Sequence, residues 1–132
     1  MSGETDLAKL LGSMRPALDE RAYCFCTVAA GAYRLGERLP KGLFVEDEGV
    51  TLILEEDAAG DLAPPDAPRW ACITLAVHSS LEAVGFIAAI SGRLAQAGLS
   101  VNPVSAYFHD HLFVPWERRE EAMAILRSFQ QG

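Results

Sequence analysis

The sequence predicts an α+β sandwich in which antiparallel strands carry helices on one face. Two observations lead to this class. Segments whose apolar residues alternate, as in strands, are interleaved with segments whose apolar residues recur every three or four positions, as in helices. In residues 69–132 these segments follow the order β-α-β-β-α, and two of the strands are close enough in sequence to form a hairpin.

Composition sets the size of the fold and excludes one class of partner. The chain has 132 residues, of which 50% are hydrophobic and 22% are charged, so it can form a core as one compact domain or as two small, closely packed ones. Its formal net charge is −7, and its eleven basic residues are scattered along the chain. Because nucleic-acid binding normally requires a concentrated basic surface, we expect no nucleic-acid partner.

The predicted compartment is the cytoplasm. The opening residues, MSGETDLAKLL, lack the basic start and the long apolar stretch of a signal peptide. No apolar run approaches the roughly 20 residues that cross a bilayer, so no membrane partner is expected. The three cysteines are an odd number, which fits a reducing compartment.

The chain is expected to open with a short amphipathic helix. Residues 5–14 place their apolar side chains on one helical face, and Thr5 or Asp6 is the expected N-cap. Pro16 ends this helix, because the residue before a proline avoids the helical conformation.

Three short strands follow in the first half of the chain. Apolar alternation predicts a strand at 22–29, and residues 31–42 are predicted to form a loop. Residues 43–54 predict two strands joined by a turn at Asp47-Glu48-Gly49. A short helical turn is expected at 55–59.

A proline-rich stretch marks the best internal boundary. Residues 60–68, GDLAPPDAP, hold three prolines and predict a stiff linker that is too short to let two domains tumble independently. We therefore expect two small units, residues 1–62 and residues 69–132.

The second unit is expected to begin with a strand, a polar turn and a helix. The strand covers Trp70 to Val77, and the helix runs to about Ala97 with Gly98 as its stop. Ser79 and Glu82 have the spacing of a capping box. The stripe expected to face inward comprises Val84, Ile87, Ala88, Ser91, Leu94 and Ala95.

The last part of the chain predicts a hairpin and a helix. A strand at 101–108, in which Pro103 implies an edge position or a bulge, meets its partner at 112–114 across a tight His109-Asp110-His111 corner. A final amphipathic helix is expected at 116–130. The order is that of a ferredoxin-like fold short of its last strand, which the first half could supply.

The segment VHSSLEAVGFIAAISGRLAQAGLSVNPVSAYFHDHLFVP resembles the ACT-domain proteins, and in particular a small bacterial group of tandem ACT-like proteins without an attached enzyme. The opening SGETDLAKLLGSMRP and the LFVEDEGVTLIL hairpin are similar to the same group, so the resemblance covers nearly the whole chain. The chain also resembles the regulatory ACT repeats of aspartokinases and the cytosolic arginine sensors of eukaryotes. The resemblance implies two small ACT-like units packed together.

The resemblance also implies amino-acid binding with an allosteric purpose, at an interface between two ACT units. In such domains the turn after the first strand and the start of the first helix contact the ligand's α-carboxylate or α-amine, and the second strand begins with an asparagine, here Asn102. The usual Asp or Asn followed by Pro-Gly is replaced here by His-Ser-Ser. The corresponding residues are His78, Ser79, Ser80, Leu81, Glu82 and Gly85.

Each of these polar residues has a binding role and a structural role open to it. Amides of a first helical turn suit a carboxylate, Glu82 or Asp110 suits an ammonium group, and Asn102 can donate and accept. Alternatively, Ser79, Ser80 and Glu82 cap the helix, Asn102 satisfies a strand end beside a proline, and Asp110 belongs to a tight turn.

Metal binding is the less favoured interpretation of the histidines and cysteines. His109 and His111 share a strand face, and Cys24 and Cys26 share another, but the spacing is not that of a CxxC knuckle. Buried thiols explain the cysteines better, so we expect no metal and no other cofactor. Tyr107 is expected to pack in the core or at an interface.

The leading functional hypothesis is a non-catalytic, homodimeric sensor of a small amino acid or related metabolite. The alternative is a ligand-free dimerisation or protein-interaction module. A small enzyme using His78, His109 or His111 is the third hypothesis, but the sequence contains neither a local nucleophile–histidine arrangement nor a phosphate-binding glycine motif.

Overall fold

The computed structural model describes residues 6–34, 39–77 and 84–130. Its contacts divide the chain into two compact units. The larger unit combines Met1–Glu20 with Ala71–Gly132, and the smaller unit is Arg21–Trp70. The elements in chain order are α1 (Leu7–Ser13), β1 (Arg15–Val28), β2 (Gly42–Val45), β3 (Val50–Glu55), α2 (Glu56–Ala59), β4 (Trp70–Ala76), α3 (Phe86–Gln96), β5 (Asn102–Ser105), β6 (Asp110–Pro115) and α4 (Arg119–Ser128).

The larger unit has the ferredoxin-like order that the sequence predicted. From β4 onward its elements run β4-α3-β5-β6-α4, and its strands lie side by side in the order β1-β4-β6-β5. The place of the missing last strand, beside β4, is taken by β1, whose first residues belong to this unit. The prediction that the first half supplies this strand is confirmed. It also explains why the contacts group residues before Arg21 with those after Trp70, although the composition places the boundary at 60–68.

An apolar cluster of buried side chains forms the core of the larger unit. It joins α1, β4, α3, β6 and α4, and most of its members have no exposed surface. Leu10 and Met14, from α1 and its C-cap, are fully buried in it, so the first residues of the chain are part of this core. The largest fully buried aliphatic members are Leu10, Met14, Ile73, Leu75, Ile90, Leu94, Leu112 and Leu126.

The smaller unit is a three-stranded antiparallel sheet in the order β2-β3-β1. β1 and β3 pair Phe25 with Ile53, and β3 and β2 pair Leu52 with Leu43. The turn between β2 and β3 closes through two backbone hydrogen bonds between Glu46 and Gly49, 2.9 and 3.3 Å long. The two strands about Asp47-Glu48-Gly49 and the short helix after them are confirmed.

Two helix ends were identified correctly from local signals. Asp6 caps α1 by accepting a hydrogen bond of 3.1 Å from the backbone of Lys9. At the end of α3, Gly98 has φ +78° and donates to the carbonyl of Ala95, while the next residue, Leu99, donates to that of Leu94. This pair of bonds is the Schellman arrangement, in which glycine adopts the left-handed conformation without a steric penalty.

Three predicted boundaries are wrong. β1 begins at Arg15, seven residues earlier than expected, and forms one long strand that neighbours both β3 and β4. The hairpin turn lies at Ala106–His109, which makes Asp110 the first residue of β6 instead of a corner residue.

The third error concerns α3, which begins at Phe86. Gly85 has φ +86°, a left-handed conformation that the interior of a right-handed helix cannot contain, so no continuous helix runs from Ser79. The inward face is therefore set by Phe86, Ile90 and Leu94, whereas Val84, Ala88 and Ala95 are exposed.

Candidate functional site

The predicted ligand residues fall into two groups. His78, Ser79, Ser80, Leu81 and Glu82 lie outside the described residues, so the capping box and the ligand contacts assigned to them stay predictions. Gly85, Asn102 and Asp110 are described, and their positions show which of them could act together.

Asp110 lies at the end of the sheet where β4 finishes. β4 and β6 are antiparallel neighbours, and the Thr74 hydroxyl and His111 Nδ1 are 2.9 Å apart across them. This contact shows which end of β6 lies beside the C-terminal end of β4. The C-terminal residue after β4, Val77, therefore lies at the same end of the sheet as Asp110. Residues 78–83, which follow Val77 in the sequence, therefore start from this end.

Gly85 is the N-cap residue of α3. Gly85 has a left-handed backbone conformation at this N-cap position, and its helix start has no side-chain capping hydrogen bond. A Cβ at this position would lie 3.6 Å from Leu7 Cδ2, an ordinary contact, so space does not demand glycine. The backbone conformation favours glycine, because the left-handed conformation costs other residues about 1–2 kcal/mol.

Asn102 does not join Asp110 within one copy of the chain. Asn102 pairs with Phe113, and Asp110 pairs with Ser105, so the two are three residues, or about 10 Å, apart along the hairpin ladder. Phe113 and Asp110 are also an odd number of positions apart in β6, so their side chains leave opposite faces of the sheet. One small ligand cannot contact both side chains in a single copy.

The hairpin tip carries features that the sequence analysis missed. His109 is partly buried, and its Nδ1 has no hydrogen-bond partner in the part of the chain that the structure describes. Tyr107 and Phe108 are both exposed and lie edge to face, with ring centroids 5.0 Å apart. Tyr107 does not pack in the core of the chain, so that alternative is wrong, and packing at an interface stays a prediction. Among the described residues, no element covers these rings, and no sequence pattern indicates this in advance.

All three cysteines are buried as thiols. Cys24, Cys26 and Cys72 form no disulfide, and Cys24 and Cys26 pack with Ala59 in the smaller unit. Burial raises the pKa of both thiols, and the charge of Glu56 raises that of Cys24 further. Among the described residues, no three or more His, Cys, Asp and Glu side chains are grouped as metal ligands would be.

Within residues 6–34, 39–77 and 84–130, no helix is long and apolar enough to span a bilayer.

Comparison with protein families identifies the class. One ACT-domain model matches residues 2–65, and a second ACT-domain model matches residues 68–128. A protein of unknown function from Vibrio cholerae, described as a possible transport protein, is 40% identical over 94% of this chain and 95% of its own, with a TM-score of 0.80. The chain belongs to the ACT-domain family and carries two ACT domains in tandem.

More distant solved structures share the fold. A protein from Agrobacterium tumefaciens is similar at 17% identity and a TM-score of 0.66, over 89% of each chain. The aspartate kinase of Clostridium acetobutylicum, described as an allosteric enzyme, is similar at 12% identity and a TM-score of 0.64, over 96% of this chain and 36% of its own. A comparison with curated proteins finds no match.

Proposed function

We propose that this chain is a non-catalytic regulatory protein of the cytoplasm that binds a small amino acid and acts as a homodimer. The observation that carries the proposal is the tandem pair of ACT domains, a family whose members commonly bind amino acids in regulation. The similarity to a kinase described as allosteric supports the regulatory role. A structure described as a putative regulatory domain of aspartate kinase, from Porphyromonas gingivalis, supports it too.

The ligand would lie where β4 ends in the larger unit. The residues proposed to surround it are those of the turn, His78 to Glu82, followed by Gly85, with Asp110 at the same end of the sheet. Backbone amides of the turn would bind the carboxylate, and the carboxylate of Asp110 or Glu82 would bind the ammonium group. Asn102 would contribute only from a second copy, since it faces away from this place in its own copy.

The proposal is tested by thermal unfolding in the presence of each of the twenty amino acids. A ligand present at about 100 times its dissociation constant stabilises the folded state by roughly 2.7 kcal/mol, which raises the melting temperature by several degrees for a chain of this size. We expect a shift with one or two amino acids. A melting temperature that none of the twenty changes would contradict the proposal.

Two variants then locate the site. Asp110→Asn keeps the shape of the side chain but removes its charge, so the ligand-induced shift should shrink or vanish. The control is Asp47→Asn, which removes an equal charge from an exposed turn in the smaller unit. An equal loss in both variants would mean that Asp110 acts only through net charge.

A ligand-free interaction module is the second candidate, and one observation favours it. The aromatic pair of Tyr107 and Phe108 is exposed at the tip of a short hairpin, where it adds nothing to the core. Exposed aromatic side chains are typical anchors of protein interfaces. This candidate predicts no amino-acid-dependent shift and loss of a protein partner on Phe108→Ala.

A further inference from the structure

One end of the larger unit gathers most of its exposed apolar side chains. Among the described residues of this unit, five large apolar side chains are exposed: Leu7, Val84, Val104, Tyr107 and Phe108. Val84, Tyr107 and Phe108 are 85%, 81% and 77% exposed, so they contribute little to the core. Exposed apolar side chains that lie together mark a binding surface, whereas scattered ones need no explanation. Four of these five lie at the end of the sheet where β4 finishes.

The β5–β6 hairpin places two of them. Ala106 donates a backbone hydrogen bond of 3.0 Å to the carbonyl of His109, so Tyr107 and Phe108 form the two-residue loop of the hairpin. β6 begins at Asp110, at the end of the sheet where β4 finishes. The loop therefore projects from this end, with Phe108 two residues before Asp110 in the sequence.

The start of α3 places the other two. β4 and β5 are both antiparallel to β6, so they are parallel to each other and the chain between them crosses from one end of the sheet to the other. α3, about 16 Å long, makes this crossing and begins where β4 finishes. Val84 precedes its N-cap, Gly85, and a Cβ at Gly85 would lie 3.6 Å from Leu7 Cδ2. Leu7, Val84, Tyr107 and Phe108 thus form an apolar rim at this end.

Asp110 is a charged side chain beside this apolar rim. It is partly buried, and among the described residues no cation pairs with its carboxylate and no group donates a hydrogen bond to that carboxylate. Such a carboxylate has lost part of its hydration without gaining a counter-ion, so an ammonium group would bind it favourably. α3 begins at the same end without a side-chain cap, and the N–H groups of its first turn suit a carboxylate. Both charged groups of an amino acid therefore find complements beside the apolar rim.

We propose that the amino acid bound at this end has an apolar side chain, as in valine or leucine, which packs against the apolar rim. The inference rests on the proposed function, because it names the ligand class of the same site. An apolar side chain gains by leaving water for this surface, whereas a polar one would lose hydration there. The Asp6 carboxylate, next to Leu7 in the sequence, already caps α1 by accepting from the Lys9 backbone.

Two pairs of amino acids test the ligand class, because the members of each pair have nearly the same shape and differ in polarity. These pairs are leucine with asparagine, and valine with threonine. Isothermal titration calorimetry on the full chain measures the four dissociation constants. We expect leucine and valine to bind at least about tenfold more tightly than their polar counterparts. N-acetyl-leucine keeps the side chain but has no ammonium group, so it should bind at least about tenfold more weakly than leucine.

Two variants at exposed positions test the apolar rim. Tyr107→Ser/Phe108→Ser removes both rings. The control, Val104→Ser, removes the fifth exposed apolar side chain, which pairs with His111 in the hairpin ladder and lies outside the rim. The quantity compared is the ratio of the asparagine to the leucine dissociation constant, which a general loss of affinity leaves unchanged. We expect this ratio to fall at least about threefold in the double variant and to stay the same in Val104→Ser.

The outcomes separate this inference from the proposed function. If none of the twenty amino acids binds, both are overturned. If asparagine, threonine or an amino acid with a charged side chain binds as tightly as leucine, amino-acid binding stands and the ligand class is overturned. A leucine preference that the double variant retains, or that Val104→Ser reduces equally, overturns the role of the apolar rim. Equal binding of leucine and N-acetyl-leucine overturns the recognition of the ammonium group.

Discussion

Gly49 shows at the residue scale how one missing Cβ permits the β2–β3 turn. A Cβ at this position would stand 2.7 Å from the carbonyl oxygen of Val28 and 3.2 Å from Thr27 Oγ1, and the first of these neighbours is backbone that cannot step aside. The turn closes against β1 only because glycine occupies it. Asp-Glu-Gly was identified as a turn from the sequence, but this close approach depends on the pairing of β1 with β3.

We expect Gly49→Ala to lower the free energy of unfolding by about 1–3 kcal/mol, the usual cost of overpacking. The control is Gly12→Ala in α1, where nothing lies within 4 Å and the helix gains about 0.5–1 kcal/mol from alanine. Urea denaturation measures both. Equal effects of the two substitutions would show that the contact with Val28 is not important.

The Cys24 and Cys26 thiols give a pH dependence. Burial raises the pKa of both, mainly because the thiolate would lose its hydration. Unfolding frees them to ionise near their ordinary pKa of 9.0, so above that pH the unfolded state holds fewer protons than the folded state. The stabilisation is present below this pH and is lost as the pH rises through it.

We therefore expect the free energy of unfolding to fall between about pH 8 and about pH 10, and to fall less steeply in a Cys24→Ala/Cys26→Ala variant. Denaturation at several pH values measures the difference in slope. Identical slopes would mean that these thiols ionise as easily in the folded state.

At the scale of elements, the sequence predicts the boundaries that local interactions set and misplaces those that the tertiary structure sets. Helix ends such as those at Asp6 and Gly98 depend on interactions within a few residues, so they could be predicted from the sequence. β1 and α3 were misplaced because their starts are decided elsewhere in the fold. Arg15–Glu20 has no apolar alternation and is a strand only as part of the long β1, which neighbours β3 and β4, and Gly85 can be assigned to a helix or a turn until its φ is known.

Arg118 joins two elements at the end of α3. Its guanidinium donates to the carbonyls of Gly98 and Ala97, at 2.9 and 3.0 Å, and to the carboxylate of Glu121. These bonds satisfy carbonyl groups that a helix end leaves without an intrahelical donor.

Arg118→Ala should therefore cost about 1–2 kcal/mol of unfolding free energy, more than an exposed ion pair alone would. Arg127→Ala, exposed on α4, is the matched control and should change stability by less than about 0.5 kcal/mol. Thermal or chemical denaturation compares them. A loss at Arg118 no larger than at Arg127 would argue against the carbonyl contacts.

At the scale of the whole molecule, the two halves of the sequence are not the two compact units. The family models match residues 2–65 and 68–128, in keeping with the linker, yet the larger unit takes its outer strand and two core residues, Leu10 and Met14, from the start of the chain. Composition marks the linker but cannot show which distant strand fills an empty place in a sheet.

This arrangement predicts that residues 69–132 do not fold alone. They would lack a strand and two fully buried side chains, each worth roughly 1.5–3 kcal/mol of burial, in a unit whose total stability is of the order of 5–15 kcal/mol. A circular permutant that appends residues 6–20 after Gly132 should fold, because the Gln130 side chain already donates to the Met14 carbonyl. Circular dichroism distinguishes the two, and a cooperative transition in the short fragment would contradict the prediction.

The candidate site was predictable in part. The polar turn and Asp110 are visible in the sequence because carboxylates and hydroxyls at a strand end stand out against apolar neighbours. The separation of Asn102 from Asp110 was not visible, since it follows from the register of β5 and β6, in which a shift of one residue would reverse every face. His109 Nδ1, which has no hydrogen-bond partner among the described residues, likewise becomes apparent only in the folded hairpin.

The most direct test of amino-acid binding at the end of β4 is a two-dimensional ¹⁵N–¹H NMR titration with the amino acid that stabilises the protein. We predict that the largest amide shifts occur at Gly85, at Asp110 and in residues 78–83, with little change at Phe44 on β2 of the smaller unit. Shifts confined to other parts of the chain, or no saturable shifts at all, would contradict the account.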